Sequence, residues 1–170
     1  MELVYAAALT TAVTACATDF RTRRIPNVLT FGSAAAALLF HLIRGGAADV
    51  TAGAAGWAAG AAVFFLPFVL RGLGGGDVKL LAALGAWLGP HDVLWLALYA
   101  GVAGGVMAIV VSLAYGYLRR ALQNVWMLFC HWQVAGLQAL PGLTLETSAA
   151  PKLAYAFPIL AGTMVSIWLR

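Results

Sequence analysis

Two aspartates, Asp19 and Asp77, stand out in a 170-residue chain that holds only six Asp and Glu residues. Asp19 opens the run Asp19-Phe20-Arg21-Thr22-Arg23-Arg24-Ile25-Pro26-Asn27. Asp77 closes Gly74-Gly75-Gly76-Asp77 and is followed by Val78-Lys79-Leu80. Each lies at the edge of a long apolar segment. A carboxylate at the centre of a membrane helix costs roughly 2.5–3.5 kcal/mol on insertion scales, which makes it a functional candidate by default. Two carboxyls in close contact cannot both ionise easily, so they share one proton. The ionised one can take a proton from water while the protonated one hydrogen-bonds a peptide carbonyl oxygen. Such a pair needs no metal, no cofactor and no covalent intermediate, and its apparent pKa values belong to the pair. The chemistry that fits is aspartyl proteolysis at a membrane.

The neighbours suit that chemistry. Gly74, Gly75 and Gly76 permit positive φ and leave room for an extended substrate beside the carboxylate. Asp77 begins a helix, where exposed N–H groups favour negative charge. Lys79 reads as a cytoplasmic anchor that also tunes Asp77. Each feature has a plainer reading. Asp77 can be a helix N-cap after a glycine turn. Asp19 can be an interfacial carboxylate paired with Arg21 or Arg23. Arg24-Ile25-Pro26-Asn27 can be a basic turn in which Pro26 starts the next helix. The joint occurrence on one face weighs against the plain readings, because Glu2, Asp49, Asp92 and Glu146 fall in ordinary loops or ends. Ser33, Ser112 and Ser166 have no neighbouring base, and His41, His91 and His131 are scattered and read as interfacial. The glycines form no phosphate loop, since no Gly-Lys-Ser/Thr follows. Cys16 and Cys130 form no CxxC pair and read as small buried hydrophobes rather than ligands or a disulfide.

The elements that must position the aspartates follow from composition. The chain is 63% hydrophobic, 9% charged, with a mean hydropathy of +0.91. A soluble domain carries about 25% charged residues. Strand-period alternation is absent, so the expectation is an all-α, polytopic membrane bundle. About six transmembrane helices are predicted, over 2–18, 28–43, 52–70, 78–90, 92–117 and 153–169, in one domain spanning 1–170. The first is read as a retained span and not a cleaved signal, because Glu2 stands where a basic region is needed. The fourth reaches only about 20 Å of a ~30 Å hydrocarbon core. Its N-terminus, with Asp77, is expected inside a protein-lined recess.

Charge orients the chain. With the loop after the first span in the cytoplasm, Arg21, Arg23, Arg24, Arg71, Lys79, Arg119, Arg120 and Lys152 are inside, and only Arg44 and Arg170 are outside. The N-terminus is then outside and both aspartates face the cytoplasm. Two spans separate them, so they share one face whatever its sign. The net charge of +4 is assigned to this asymmetry and not to nucleic-acid binding. The stretch 121–140 is predicted as an amphipathic interfacial helix, with a seventh span as the alternative. Gly53, Gly56 and Gly60, and a GxxxG at Gly101 and Gly105, are expected at close helix contacts.

With these residues in view, the chain resembles the type IV prepilin peptidases, membrane aspartyl proteases of the GxGD class. The resemblance rests on Asp19 with Arg21, Arg24, Ile25, Pro26 and Asn27, then on Gly74, Gly76, Asp77, Val78, Lys79 and Leu80. The last span matches more loosely, through Tyr155, Pro158 and Gly162. The resemblance implies that Asp19 and Asp77 are the catalytic pair, supported by Gly74, Gly75, Gly76, Lys79, Arg24, Pro26 and Asn27. It implies pilin-like precursors as substrates, each with a short basic leader, Gly or Ala before the cut and a hydrophobic helix after it. Cleavage would face the cytoplasm, in a bacterial inner membrane. The larger members carry a cytoplasmic domain with paired cysteines and also methylate the new N-terminus. The short length and missing CxxC here are similar to the Tad/Flp-pilus form, which argues against methylation. Two competing readings stay open: a transporter or proton channel that relays protons through the two aspartates, and a catalytically idle factor in pilus assembly.

Overall fold

A computed structural model describes residues 2–138 and 154–169. Its six helices are α1 (Glu2–Thr22), α2 (Asn27–Val69), α3 (Gly75–Leu88), α4 (Pro90–Ala114), α5 (Leu118–Ala135) and α6 (Ala156–Trp168). No strand occurs among the described residues. In lipid no water is available to backbone groups, and a helix pairs them within one segment. Helices α1, α2 and α4 are long and apolar enough to cross a membrane, and α6 is apolar but shorter. The architecture is a helical membrane bundle.

Helix α2 is a hairpin. Its path reverses at Gly46, whose φ of 69° and ψ of −152° lie outside the helical region. The first arm, 27–45, starts where Asn27 accepts a hydrogen bond from Lys79 Nζ at 2.9 Å. Further along, His41 Nε2 lies 3.1 Å from the Ala86 carbonyl oxygen. The second arm, 47–69, runs back past Ala86 at Gly53, Leu81 at Gly60 and Gly75 at Phe68. These arms are the predicted second and third spans.

Helix α3 sits against both arms, and every residue from Leu80 to Trp87 is buried. Fourteen residues make about 21 Å of helix, less than a bilayer core. Protein rather than lipid surrounds α3, so it need not span. The recess expected around Asp77 follows from this.

Small residues set the closest contacts. A Cβ on Gly56 or on Gly85 would collide with the other's carbonyl oxygen, and one on Gly60 would lie 2.6 Å from the Leu81 oxygen. Helices α4 and α6 meet in the same way, with a Cβ on Gly162 placed 2.6 Å from Ala100 N. Without a hydrophobic drive between helices in lipid, such backbone approach supplies the van der Waals contact. The expected GxxxG contact is corrected here: nothing lies within 4 Å of a Cβ at Gly101 or Gly105. The packing glycine of α4 is Gly104, which faces the Tyr155 ring.

Helix α5 begins after Gly116 and buries none of its residues. Leu122, Val125, Trp126 and Phe129 are exposed, with Arg119 and Arg120 at its start. It covers most of the amphipathic stretch predicted over 121–140, ends at Ala135, and its last two predicted positions lie outside the described residues.

Candidate active site

The last turn of α1 and the first turn of α3 build one end of the bundle. On α1, Ala8, Thr11, Ala12, Ala15, Cys16 and Asp19 are buried. Their spacing of three and four marks one helix face, so Asp19 is carried inward with the alanines rather than out to the interface. Asp19 and Asp77 are each only 9% exposed. Asp19 lies near enough for its charge to bear on Asp77, and Asp77 near enough for its charge to bear on Tyr155.

Asp77 occupies the third position of α3, and Gly74 is the N-cap. Asp77 therefore lies inside the first turn, and the plainer alternative of an N-cap aspartate does not hold. Gly74 N–H donates to Asp77 Oδ2 at 3.2 Å, and Asp77 N–H donates to the Gly74 carbonyl at 3.1 Å. The carboxylate is thus fixed by its own turn. The glycine run does not serve positive φ either: Gly74 has φ −80°, and among the described residues the glycines with positive φ are Gly46, Gly89, Gly116 and Gly136. Space is what Gly74 to Gly76 supply. A Cβ would meet Asp77 Oδ2 at 3.1 Å from Gly74, the Phe68 ring at 3.4 Å from Gly75, and Ile25 Cβ at 3.3 Å from Gly76.

The Asp19-to-Asn27 run docks on this turn. Ile25 covers Gly76, and Pro26 is the N-cap of α2, its carbonyl accepting from Leu29 N–H and Thr30 N–H at 3.1 and 3.3 Å. Lys79 donates to Asn27 and lies 5.5 Å from the centre of the Phe31 ring. Arg24 is exposed, and its carbonyl accepts from Thr22 Oγ1 at 3.1 Å. Arg23 and Arg71, in the two loops flanking the site, hold φ of 54° and 57°. Left-handed backbone at a residue other than glycine costs of order 1–3 kcal/mol and persists only where the surroundings enforce it.

Tyr155 was named in the sequence only as part of a loose match. In the structure its ring packs edge-on to Phe64, with centroids 5.8 Å apart, and fills the space left by Gly104. No spacing rule points to it, because it reaches Asp77 from the far end of the chain. Asp92 was placed in an ordinary helix end. It is buried in the first turn of α4, with Oδ1 at 3.0 Å from His91 Nδ1. It lies beyond the C-terminal end of α3, away from Asp77. Among the described residues no three His, Cys, Asp or Glu side chains group as metal ligands. Glu146 and Lys152 lie outside the described residues.

A family model for the type IV leader peptidase family matches residues 6–109. That stretch holds both aspartates and most of the chain. The chain belongs to the type IV leader peptidase family. Among curated relatives, it is similar to the prepilin leader peptidase/N-methyltransferase of Neisseria gonorrhoeae, with 35% identity over 105 residues. That alignment covers 58% of this chain and 36% of the relative. The proteins of the same name from Burkholderia pseudomallei strains 1026b and K96243 are 49% identical over 43 residues, 25% of this chain and 14% of theirs. The chain therefore spans well under half of these leader peptidases where it matches them. No solved structure matches it. For a leader peptidase, the observed arrangement brings the two motif aspartates to one buried end and ties their flanking motifs together through Ile25, Asn27 and Lys79.

Proposed function

We propose that this chain is a membrane aspartic endopeptidase that removes the short basic leader from type IV pilin-like precursors. The observation that carries the reading is the placement of Asp19 and Asp77. Two family-region carboxyls are each almost fully buried, and Asp19 is near enough for its charge to bear on Asp77 at the N-terminus of a protein-wrapped helix. Buried like charges at close range hold one proton between them. The ionised carboxyl takes a proton from a water that attacks the scissile carbonyl carbon. The protonated carboxyl hydrogen-bonds the carbonyl oxygen, then delivers its proton to the leaving amine. Gly74 N–H holds one oxygen of Asp77, so that carboxyl reacts from a fixed position. Gly75 and Gly76 keep side chains out of its turn, while Lys79, Asn27 and Pro26 set the α1–α2 connection against α3. Arg24 extends the basic edge of the site.

The cation asymmetry supports a cytoplasmic site and an outside N-terminus, and the family resemblance supports a bacterial inner membrane, with the chain as one multi-pass domain. Its partners are the precursor and the bilayer. Co-expression with a type IV prepilin tests the reading by precursor size on a gel. Cleavage lost in both Asp19→Asn and Asp77→Asn, with membrane levels unchanged, is the expected result. Cleavage surviving both substitutions refutes the assignment, and a wild-type chain that cuts no prepilin refutes the activity.

A further inference from the structure

Helix α1 packs mainly on α6 and α3 and touches α2 little. Between α1 and the first arm of α2 this leaves a groove of about 710 Å³, open on the outside of the bundle. Its α1 wall descends from Thr18, the residue before Asp19, through Thr14 to Ala7, and its α2 wall starts at Pro26. The eleven residue steps from Thr18 to Ala7 measure about 16 Å at 1.5 Å per residue. The groove thus runs from the candidate active site into membrane depth. Gly32 lines it, and nothing lies within 4 Å of a Cβ built there.

Other sides of the site carry aromatic side chains. Phe68 of the second α2 arm stands against Gly75, and Tyr155 ahead of α6 packs beside Phe64. Of the other cavities described, one lies around His91 and Asp92 beyond the far end of α3, and one lies on α5. Of these cavities, the α1–α2 groove is the one that borders Asp19, through Thr18.

We propose that the α1–α2 groove seats the apolar helix of the substrate, on the C-terminal side of the scissile bond. The proposal rests on the peptidase reading above and assigns that substrate a place. The peptide bond at the aspartates is extended, and the chain beyond it turns down the groove as a helix against Thr14 and Gly32. The floor is braced. Thr11 donates to the Ala7 carbonyl at 2.8 Å, so its oxygen accepts from Ser33 at 2.8 Å, and Ser33 accepts from Trp87 Nε1 at 2.9 Å. Each hydroxyl has one proton to give, which fixes the direction of this chain across α1, α2 and α3.

The test uses the full chain in membranes, co-expressed with a type IV prepilin. A photoreactive phenylalanine analogue is placed at position 14, 32 or 106 in the Asp77→Asn background, which holds precursor uncut. Val106 is an exposed position on α4 and serves as control. Crosslinks from 14 and 32 to the apolar segment of the precursor, absent from 106, are expected. In the cleaving chain, Gly32→Leu is expected to slow processing about tenfold or more by misplacing the scissile bond. Gly101→Leu, equally free of neighbours on α4, is expected to leave it unchanged. If the wild type cleaves but 14 and 32 capture only lipid, a second copy of the chain or no more precursor than 106, the groove assignment is overturned and the peptidase reading stands. A wild type that cuts no prepilin overturns both.

Discussion

Replacing Gly60 by alanine adds one carbon at a close backbone approach between the second arm of α2 and α3. That carbon would lie 2.6 Å from the Leu81 carbonyl oxygen, 2.9 Å from the Leu81 carbonyl carbon and 3.1 Å from Ala82 Cα. All three are backbone atoms, so no side chain can rotate away. The two helices must part by about 0.8 Å to reach 3.4 Å, where ordinary contact begins. Forced repacking of this kind costs about 1–3 kcal/mol. Leu81 is one turn from Asp77, and the displacement passes along a rigid helix to the carboxylate. A misplacement of 1 Å in reacting groups can cost about a hundredfold in rate. Gly60→Ala is therefore expected to slow leader removal by tens of fold, in reconstituted vesicles with enzyme amount normalised. Gly53→Ala, whose nearest contacts begin at 3.1 Å and include His41 and Leu38 side chains, is expected to lose less. Gly101→Ala is expected to lose nothing. A wild-type rate in Gly60→Ala, or a larger loss in Gly53→Ala, would refute the argument that backbone contact at this crossing sets the position of Asp77.

Two further substitutions probe the ties between elements. Ser33→Ala breaks the hydrogen-bond chain from Trp87 to Thr11, and thermal unfolding in detergent should show a loss of about 1 kcal/mol, the scale of such bonds in membranes. Lys79→Met removes the donor to Asn27 Oδ1. Cleavage is expected to fall about tenfold as the two motifs loosen, whereas Lys79→Arg, which keeps a donor, should retain most of the rate.

The sequence alone determined the material of this protein. Its apolar composition admits only helices in lipid, and the Gly46 region separates two apolar runs that become the arms of one hairpin. Span parity sufficed to bring Asp19 and Asp77 to one face, because an even number of crossings returns the chain to the same side. The brevity of the segment after Asp77 announced a recess, since so short a helix leaves its start below the bilayer surface unless protein surrounds it. Tertiary structure decided the rest. Whether a glycine packs depends on which face its neighbour covers, so Gly104 meets Tyr155 while Gly101 and Gly105 meet nothing. The role of Gly74 to Gly76 turned on distances to Asp77, Phe68 and Ile25, which no local rule contains. Asp92 looked like a helix-end carboxylate and is buried, because burial is a property of the neighbours and not of the residue. Tyr155 meets Phe64 and Gly104 only because α6 returns across the bundle to pack on α4 and α1. Long-range contacts of that kind leave no periodic trace in one sequence.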